Sequence, residues 1–197
     1  MNWGLSFKML HTVLQFLGDE LNTYLFARTG ADSVVIKASK VVDESGKYAF
    51  DEGTLCASVI NIEEERILKS HLPGYTLVDG QHVLLEPDLK LNLHVLFAAN
   101  FKKYDVALKY LALVLTYFQS HPAFTPDEYP ALDARIEKLN VELQSLTYEQ
   151  LNQIWAFIGG KQLPSVVYKV RMVAIQDEAQ IAVRPPITTI KTEIRSR

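Results

Sequence analysis

The densest set of ionisable side chains in the chain is Glu63-Glu64-Glu65-Arg66. Carboxylates grouped this way could hold a divalent cation or share acid–base work. The residues before them, Thr54 to Ile62, are largely apolar and β-favouring, so the run closes a strand expected over Thr54 to Leu68. Neighbours on a strand point to opposite faces, so Glu63 and Glu65 share one face with Val59 and Asn61, and Glu64 and Arg66 share the other with Ile60 and Ile62. No second acidic cluster has a spacing that completes a metal or acid–base site. The run therefore reads as a solvated or partner-facing edge.

The other reactive residues are scattered. His11, His71, His82, His94 and His121 have neither the i, i+4 nor the H-x-H spacing of metal ligands. His94 reads as a hydrogen-bonded core or surface residue. Cys56 lies in an apolar stretch with no histidine near it in sequence, and reads as a small buried hydrophobe. Pro87-Asp88-Leu89-Lys90 matches a fragment of a metal-dependent nuclease motif, without the acid-x-lysine strand that should accompany it. Gly159-Gly160-Lys161 lacks the first glycine of a phosphate loop and follows a helix instead of a strand. Phe101-Lys102-Lys103-Tyr104 mixes basic and aromatic residues, as nucleic-acid binders do, but Tyr104 opens an apolar helical stripe. The residues thus point to no catalytic group, no metal and no cofactor.

A chain of 197 residues with 48% apolar residues is one domain able to bury a sizeable core. A formal charge of -3 gives no reason to expect nucleic acid or membrane as a partner. A single cysteine excludes an internal disulfide and a multi-cysteine zinc site. Neither a signal-peptide pattern nor a run of about 18 apolar residues is present, so the expectation is a soluble protein made in the cytoplasm.

The organising stretch is Leu91 to Phe124. Leu91, Leu93, Val95 and Phe97 alternate with Asn92, His94, Leu96 and Ala98, which predicts a strand. Tyr104, Leu108, Leu111, Leu115 and Phe118, with Ala107 and Val114, then predict a helix capped by Asn100 or Asp105 and ended by Pro122. Trp3, Phe7, Leu10, Leu14, Leu17, Leu21 and Tyr24, with Met9, Val13 and Phe16 as a second stripe, predict a long first helix that is buried on two sides, or buried on one and docked on a partner. Short strands are expected over Ser33 to Lys37 and Val41 to Val42. Asp79-Gly80 between Tyr75 and Leu85 predicts a projecting hairpin. Arg135 to Leu143 alternates Glu137, Leu139, Val141 and Leu143 against Ile136, Lys138, Asn140 and Glu142. Thr147 with Gln150 forms a capping box for a short helix to Ile158, stopped at Gly159-Gly160. Val166 to Ile175 is the last core strand, with Lys169 and Arg171 facing away from Tyr168, Val170 and Met172. Residues 176 to 197 form a C-terminal extension that is basic from Ile181 onward. Its ITTIKTEI segment suits an edge strand or an arm reaching a neighbour. The fold class is α/β (α+β): a mixed sheet flanked by a long N-terminal helix, a central helix and a short third helix.

Six segments carry a resemblance: Leu14 to Leu25, SVINIEEER (Ser58 to Arg66), LNLHVLFAANFKKYDVALKYL (Leu91 to Leu111), Tyr117 to Phe124, Ile136 to Trp155 and KQLPSVVYKVRM (Lys161 to Met172). Together they resemble the N-terminal domain of the tail-terminator, or cap, proteins of phage-tail-like contractile injection systems of the antifeeding-prophage and Photorhabdus-virulence-cassette type. The resemblance spans Leu5 to Ile175. It implies a tail-terminator-like fold over residues 1–175 and a structural role: a homo-hexameric ring that closes the distal end of inner tube and sheath, in a particle that is released or anchored. The implied partners are the tube and sheath proteins, with neither nucleic acid nor membrane. Candidate contact residues are Glu63, Glu65 and Arg66, the hairpin tip Asp79 and Gly80, the corner Phe101, Lys102 and Lys103, and the arm residues Ile187, Ile190 and Ile194. Two alternatives stay open. One is a baseplate or cargo-loading adaptor of the same particle, and the other is a metal-dependent, nuclease-like enzyme. Many members of the resembled family continue beyond this domain, and Ser70 to Pro87 is longer than the corresponding link in them.

Overall fold

The computed structural model describes residues 3–30, 35–65, 74–78, 81–85, 89–174 and 182–183. The alternating stretch that dominates the sequence becomes β5 (Leu89–Asn100), an inner strand of a sheet. Leu93, Val95 and Phe97 on one side, and Leu96 and Ala98 on the other, are all fully buried. Burial on both faces explains why this strand is apolar at nearly every position toward its end.

The elements before β5 are α1 (Trp3–Thr29), β1 (Ile36–Ala38), β2 (Thr54–Glu64), β3 (Gly74–Val78) and β4 (Gln81–Leu85). After it come α2 (Tyr104–Ser120), β6 (Ala123–Phe124), β7 (Ile136–Leu143), α3 (Tyr148–Ile158), β8 (Ser165–Ala174) and β9 (Ala182–Val183). Six strands form one sheet in the order β1-β2-β5-β8-β7-β6. β1 runs parallel to β2 and the other pairs are antiparallel, so the sheet is mixed, as the sequence predicts. The Asn22 amide ties α1 to this edge: its Oδ1 accepts from the Ile36 amide at 2.7 Å and its Nδ2 donates to the Ile36 carbonyl at 3.2 Å.

One face of the sheet is covered by α1 and α2. Val13, Phe16, Leu17, Leu21 and Leu25 of α1 join Ala107, Leu111, Val114 and Phe118 of α2 in a single cluster with Leu93, Val95, Phe97, Tyr168, Val170 and Met172. Aromatic rings knit it, with Phe118 centred 5.6 Å from Phe97 and 4.7 Å from Tyr168. On the other face Trp155 of α3 packs in a smaller cluster with Val41, Phe50, Cys56, Leu96, Ala98 and Val167. The capping box at Thr147 and Gln150 forms as expected, and Gly159 ends α3 in the left-handed region at φ 77°.

Several expectations are corrected. The residue that caps α2 is Lys103, and no side chain caps it. Asn100 cannot serve because it still pairs with Thr54 in the sheet. The buried stripe of α2 is Ala107, Tyr110, Leu111, Val114, Tyr117 and Phe118, whereas Tyr104 and Leu108 are 67% and 45% exposed. Their helical spacing is right, but the stripe that meets the sheet is rotated about one residue around the axis. A bulge at Ile60 moves Asn61 off the face that Val59 occupies, since Val59 pairs with Val95 and Asn61 with His94. A second bulge at Glu137 lets Ile136 join Leu139 and Val141 in the core. β3 and β4 pair through Val78 and Gln81, as a two-residue Asp79-Gly80 turn requires, though the tip itself lies outside the described residues. β9 pairs with β4 to make a second, three-stranded sheet that periodicity did not anticipate.

Candidate functional site

The bulge in β2 decides how the acidic run is presented. After it, Glu63 pairs across the ladder with Asn92, so both lie on the face of the sheet that carries α3. This face is apolar under α3 and polar beyond it. β2 contributes Asn61 and Glu63, β5 contributes Asn92 and His94, β8 contributes Lys169 and Arg171, and β7 contributes Glu142; their registers set them side by side.

Next to this set, just past the end of β2, Glu65 departs from the expected solvated edge. It is 8% exposed, and its Oε2 accepts from Asn92 Nδ2 at 3.1 Å. Arg171 Nε lies 3.9 Å from the same oxygen, and Arg171 Nη2 lies 3.5 Å from Glu142 Oε1. A line of polar contacts therefore crosses four strands. Glu63 does stay exposed, and its Oε2 lies 3.3 Å from His94 Nε2, close enough for an ion pair when the ring is protonated but without hydrogen-bond alignment. Glu63 and Glu65 do share a face, as read from the sequence. Asn92, Arg171 and Glu142 were missed because each comes from a different strand. The available signal was a polar residue at an inward position of an otherwise apolar strand. Among the described residues no group of three or more His, Cys, Asp or Glu is placed to hold a metal ion.

Ile62 is 47% exposed at the same end of the sheet. Asn61 braces it: Asn61 Oδ1 accepts from the Ile62 amide at 2.9 Å and Asn61 Nδ2 donates to Glu63 Oε1 at 3.0 Å. A backbone amide at the strand edge is thus satisfied locally instead of by a neighbouring strand.

The corner predicted from Phe101, Lys102 and Lys103 lies at the opposite end of the sheet, directly after β5. Phe101 is half-buried and stacks on Tyr110 with centroids 5.1 Å apart, so it anchors the corner. Lys102 and Lys103 are exposed, and Lys102 Nζ lies 3.3 Å from Glu52 Oε1. Beside them a groove of about 450 Å³ runs between the start of α2 and the loop leading into β8, with Tyr104, Leu108, Leu115, Leu163 and Val166 in its walls. Arg66, Asp79, Gly80, Ile187, Ile190 and Ile194 lie outside the described residues. No described helix is long and apolar enough to cross a membrane.

The sequence model of the Pvc16 N-terminal domain family matches residues 12–189. No curated protein matches the sequence. Among solved structures, the chain is similar to the sheath/tube terminator, in the extended state, of an extracellular contractile injection system, PVC, with TM-score 0.55 and 15% identity. That match covers 91% of this chain and 63% of the other. It is also similar to the anti-feeding prophage cap, a tube-terminating cap, with TM-score 0.54 and 14% identity over 89% of this chain and 59% of the other. The chain thus spans about three fifths of the length of the structures it resembles. At these identities the likeness concerns the fold, a mixed sheet with three helices.

Proposed function

Because the chain belongs to the Pvc16 N-terminal domain family, we propose that it is a structural cap of a contractile injection system. In this reading six copies form a ring on the distal end of the inner tube and the sheath. The observation that carries it is the family match over 178 residues (12–189), joined to a fold like that of two terminators. Glu63, Lys102, Lys103 and the arm from 176 onward, with Ile187, Ile190 and Ile194, are its proposed contact residues. Arg66, Asp79 and Gly80 complete the proposed set.

The physics of the role is termination. A growing tube or sheath end exposes strand edges and apolar sockets that the next ring would fill. A cap occupies them and offers no equivalent surface, so growth stops. Joining tube to sheath also holds the sheath in its extended, energy-storing state. A ring of identical subunits needs heterologous contacts whose rotation closes. The chemistry asked of the chain is recognition, and no bond is made or broken.

Electron microscopy of particles made with and without the gene tests this directly. Loss of the chain is expected to give unsheathed tubes, or tubes and sheaths of uncontrolled length. Particles of normal length with intact sheaths would overturn termination and favour an adaptor role at the baseplate or in cargo loading.

A further inference from the structure

Among the described residues the outer strands of the large sheet are β1 and β6. β6 is two residues long, and the carbonyl of Pro122 just before it accepts from the Val141 amide at 2.8 Å. A short strand entered by a proline is a poor template for another chain. The opposite edge is closed by side chains. Leu55 donates to the Val35 carbonyl at 3.1 Å and Ser39 donates to the Ala57 carbonyl at 3.2 Å. Val35 and Ser39 therefore turn these backbone groups to β2, and on alternation Ile36 turns its own outward. Both outward groups of Ile36 are bonded to one amide, the N–H to Asn22 Oδ1 and the carbonyl to Asn22 Nδ2. Asn22 thus gives β1 the acceptor and donor that the backbone of a further strand would give.

Past Ala57, β1 no longer covers β2. Glu65 donates to the Lys90 carbonyl at 2.9 Å, so beyond the bulge Asn61, Glu63 and Glu65 turn their backbone groups to β5 and Ile62 turns its own outward. Among the described residues no strand pairs with this half of the β2 edge, and Ile62 is 47% exposed. An exposed edge carrying an apolar residue is a template for strand pairing. The outward amide of Ile62 is nevertheless occupied: it donates to Asn61 Oδ1 at 2.9 Å, and Asn61 Nδ2 donates to Glu63 Oε1 at 3.0 Å, which holds the amide in place. The bulge between Val59 and Asn61 also breaks the even spacing that an incoming ladder needs. We infer that Asn61 is an edge guard, which does for β2 what Asn22 does for β1 and holds this edge shut against strand pairing with a second copy of the chain. The partner refused is a second copy because an antiparallel pair of identical edges is two-fold symmetric, and every copy brings the matching edge. This holds whether or not the chain caps a tube.

The test uses the full chain with Asn61→Val and Asn61→Asp. Asn61 is exposed, so neither change touches the core, and valine suits a strand. Asn61→Val removes the acceptor and leaves the Ile62 amide turned outward without it. Asn61→Asp keeps an acceptor at the same place. Sedimentation velocity over a range of concentrations is run in high salt, where the added charge of the aspartate is screened. Hydrogen exchange follows the Ile62 amide in the same samples, and circular dichroism melts confirm that each form is folded. Asn61→Val is expected to associate beyond the parent's own state, from concentrations about tenfold below those at which the parent does so. Its Ile62 amide is expected to exchange faster than the parent's when the protein is dilute, and more slowly as association sets in. Asn61→Asp is expected to behave as the parent does. A folded Asn61→Val chain that associates no more than the parent, or that associates without added protection at Ile62, overturns the role of Asn61. So does an Asn61→Asp chain that associates as readily as Asn61→Val.

Discussion

Asn92 donates through Nδ2 to Glu65 Oε2 at 3.1 Å, with 4% and 8% of the two residues exposed, where β2 leaves the sheet. A buried carboxylate beside an amide and an arginine marks a place where the fold chose polar contacts over apolar filling. Asn92→Leu keeps the branched shape of the side chain but removes the donor from a buried charge. It is expected to cost about 1–3 kcal/mol, read as a lower urea midpoint with an unchanged slope. A midpoint equal to that of the parent would show that the other contacts of Glu65 sustain it without Asn92.

Gly160 governs how α3 leaves the sheet. A β-carbon there would lie 2.8 Å from Val42 Cγ1, and valine has little rotamer freedom with which to retreat. Gly160→Ala is expected to destabilise the chain by about 1–3 kcal/mol through overpacking. Gly159→Ala acts through backbone strain at φ 77° instead. Its expected cost is about 1 kcal/mol. Thermal melts of the two variants against the parent check both costs.

Asp133 sets a pH dependence. Its Oδ1 accepts from the Arg135 amide and from Arg135 Nε, each at 3.0 Å, and Oδ2 accepts from Nη2. The side-chain hydrogen bonds from Arg135 hold its carboxyl below the usual carboxylate range, outweighing the opposing effect of burial. A pKa lowered by folding gives stability that is present above the unfolded value, near 3.9, and lost as pH falls through the folded value. Asp133→Asn is therefore expected to narrow the difference in melting temperature between neutral and acidic pH. An identical difference in the variant would remove Asp133 from the acid response.

Cys56 is fully buried, and burial pushes its thiol up to about 12. The thiolate is the reactive form, so the native protein is expected to resist a thiol reagent at neutral pH and to react fully once unfolded in denaturant. Rapid labelling of the native chain would show that the second face of the sheet opens readily. In that case α3 and Trp155 form a separately opening unit.

The residues of the sequence determined a good deal by themselves. Period-two runs placed β2, β5, β7 and β8, because a half-buried or buried strand must keep apolar side chains on a fixed face. Thr147, Gln150 and Gly159 placed both ends of α3, because a hydroxyl, an amide and a left-handed glycine act within one turn of chain. The opposition of Lys169 and Arg171 to Tyr168, Val170 and Met172 also follows from alternation alone. Tertiary structure decided what periodicity cannot hold. The bulges at Ile60 and Glu137 shift a face by one residue, and only pairing with β5 and β8 requires them. The exposure of Tyr104 and Leu108 depends on which side of α2 the sheet accepts, since the helix has more apolar positions than one contact can cover. The union of Glu65, Asn92, Arg171 and Glu142 depends on strand order. Those residues come from four strands, and it is the β2-β5-β8-β7 register that brings their charges within reach of one another.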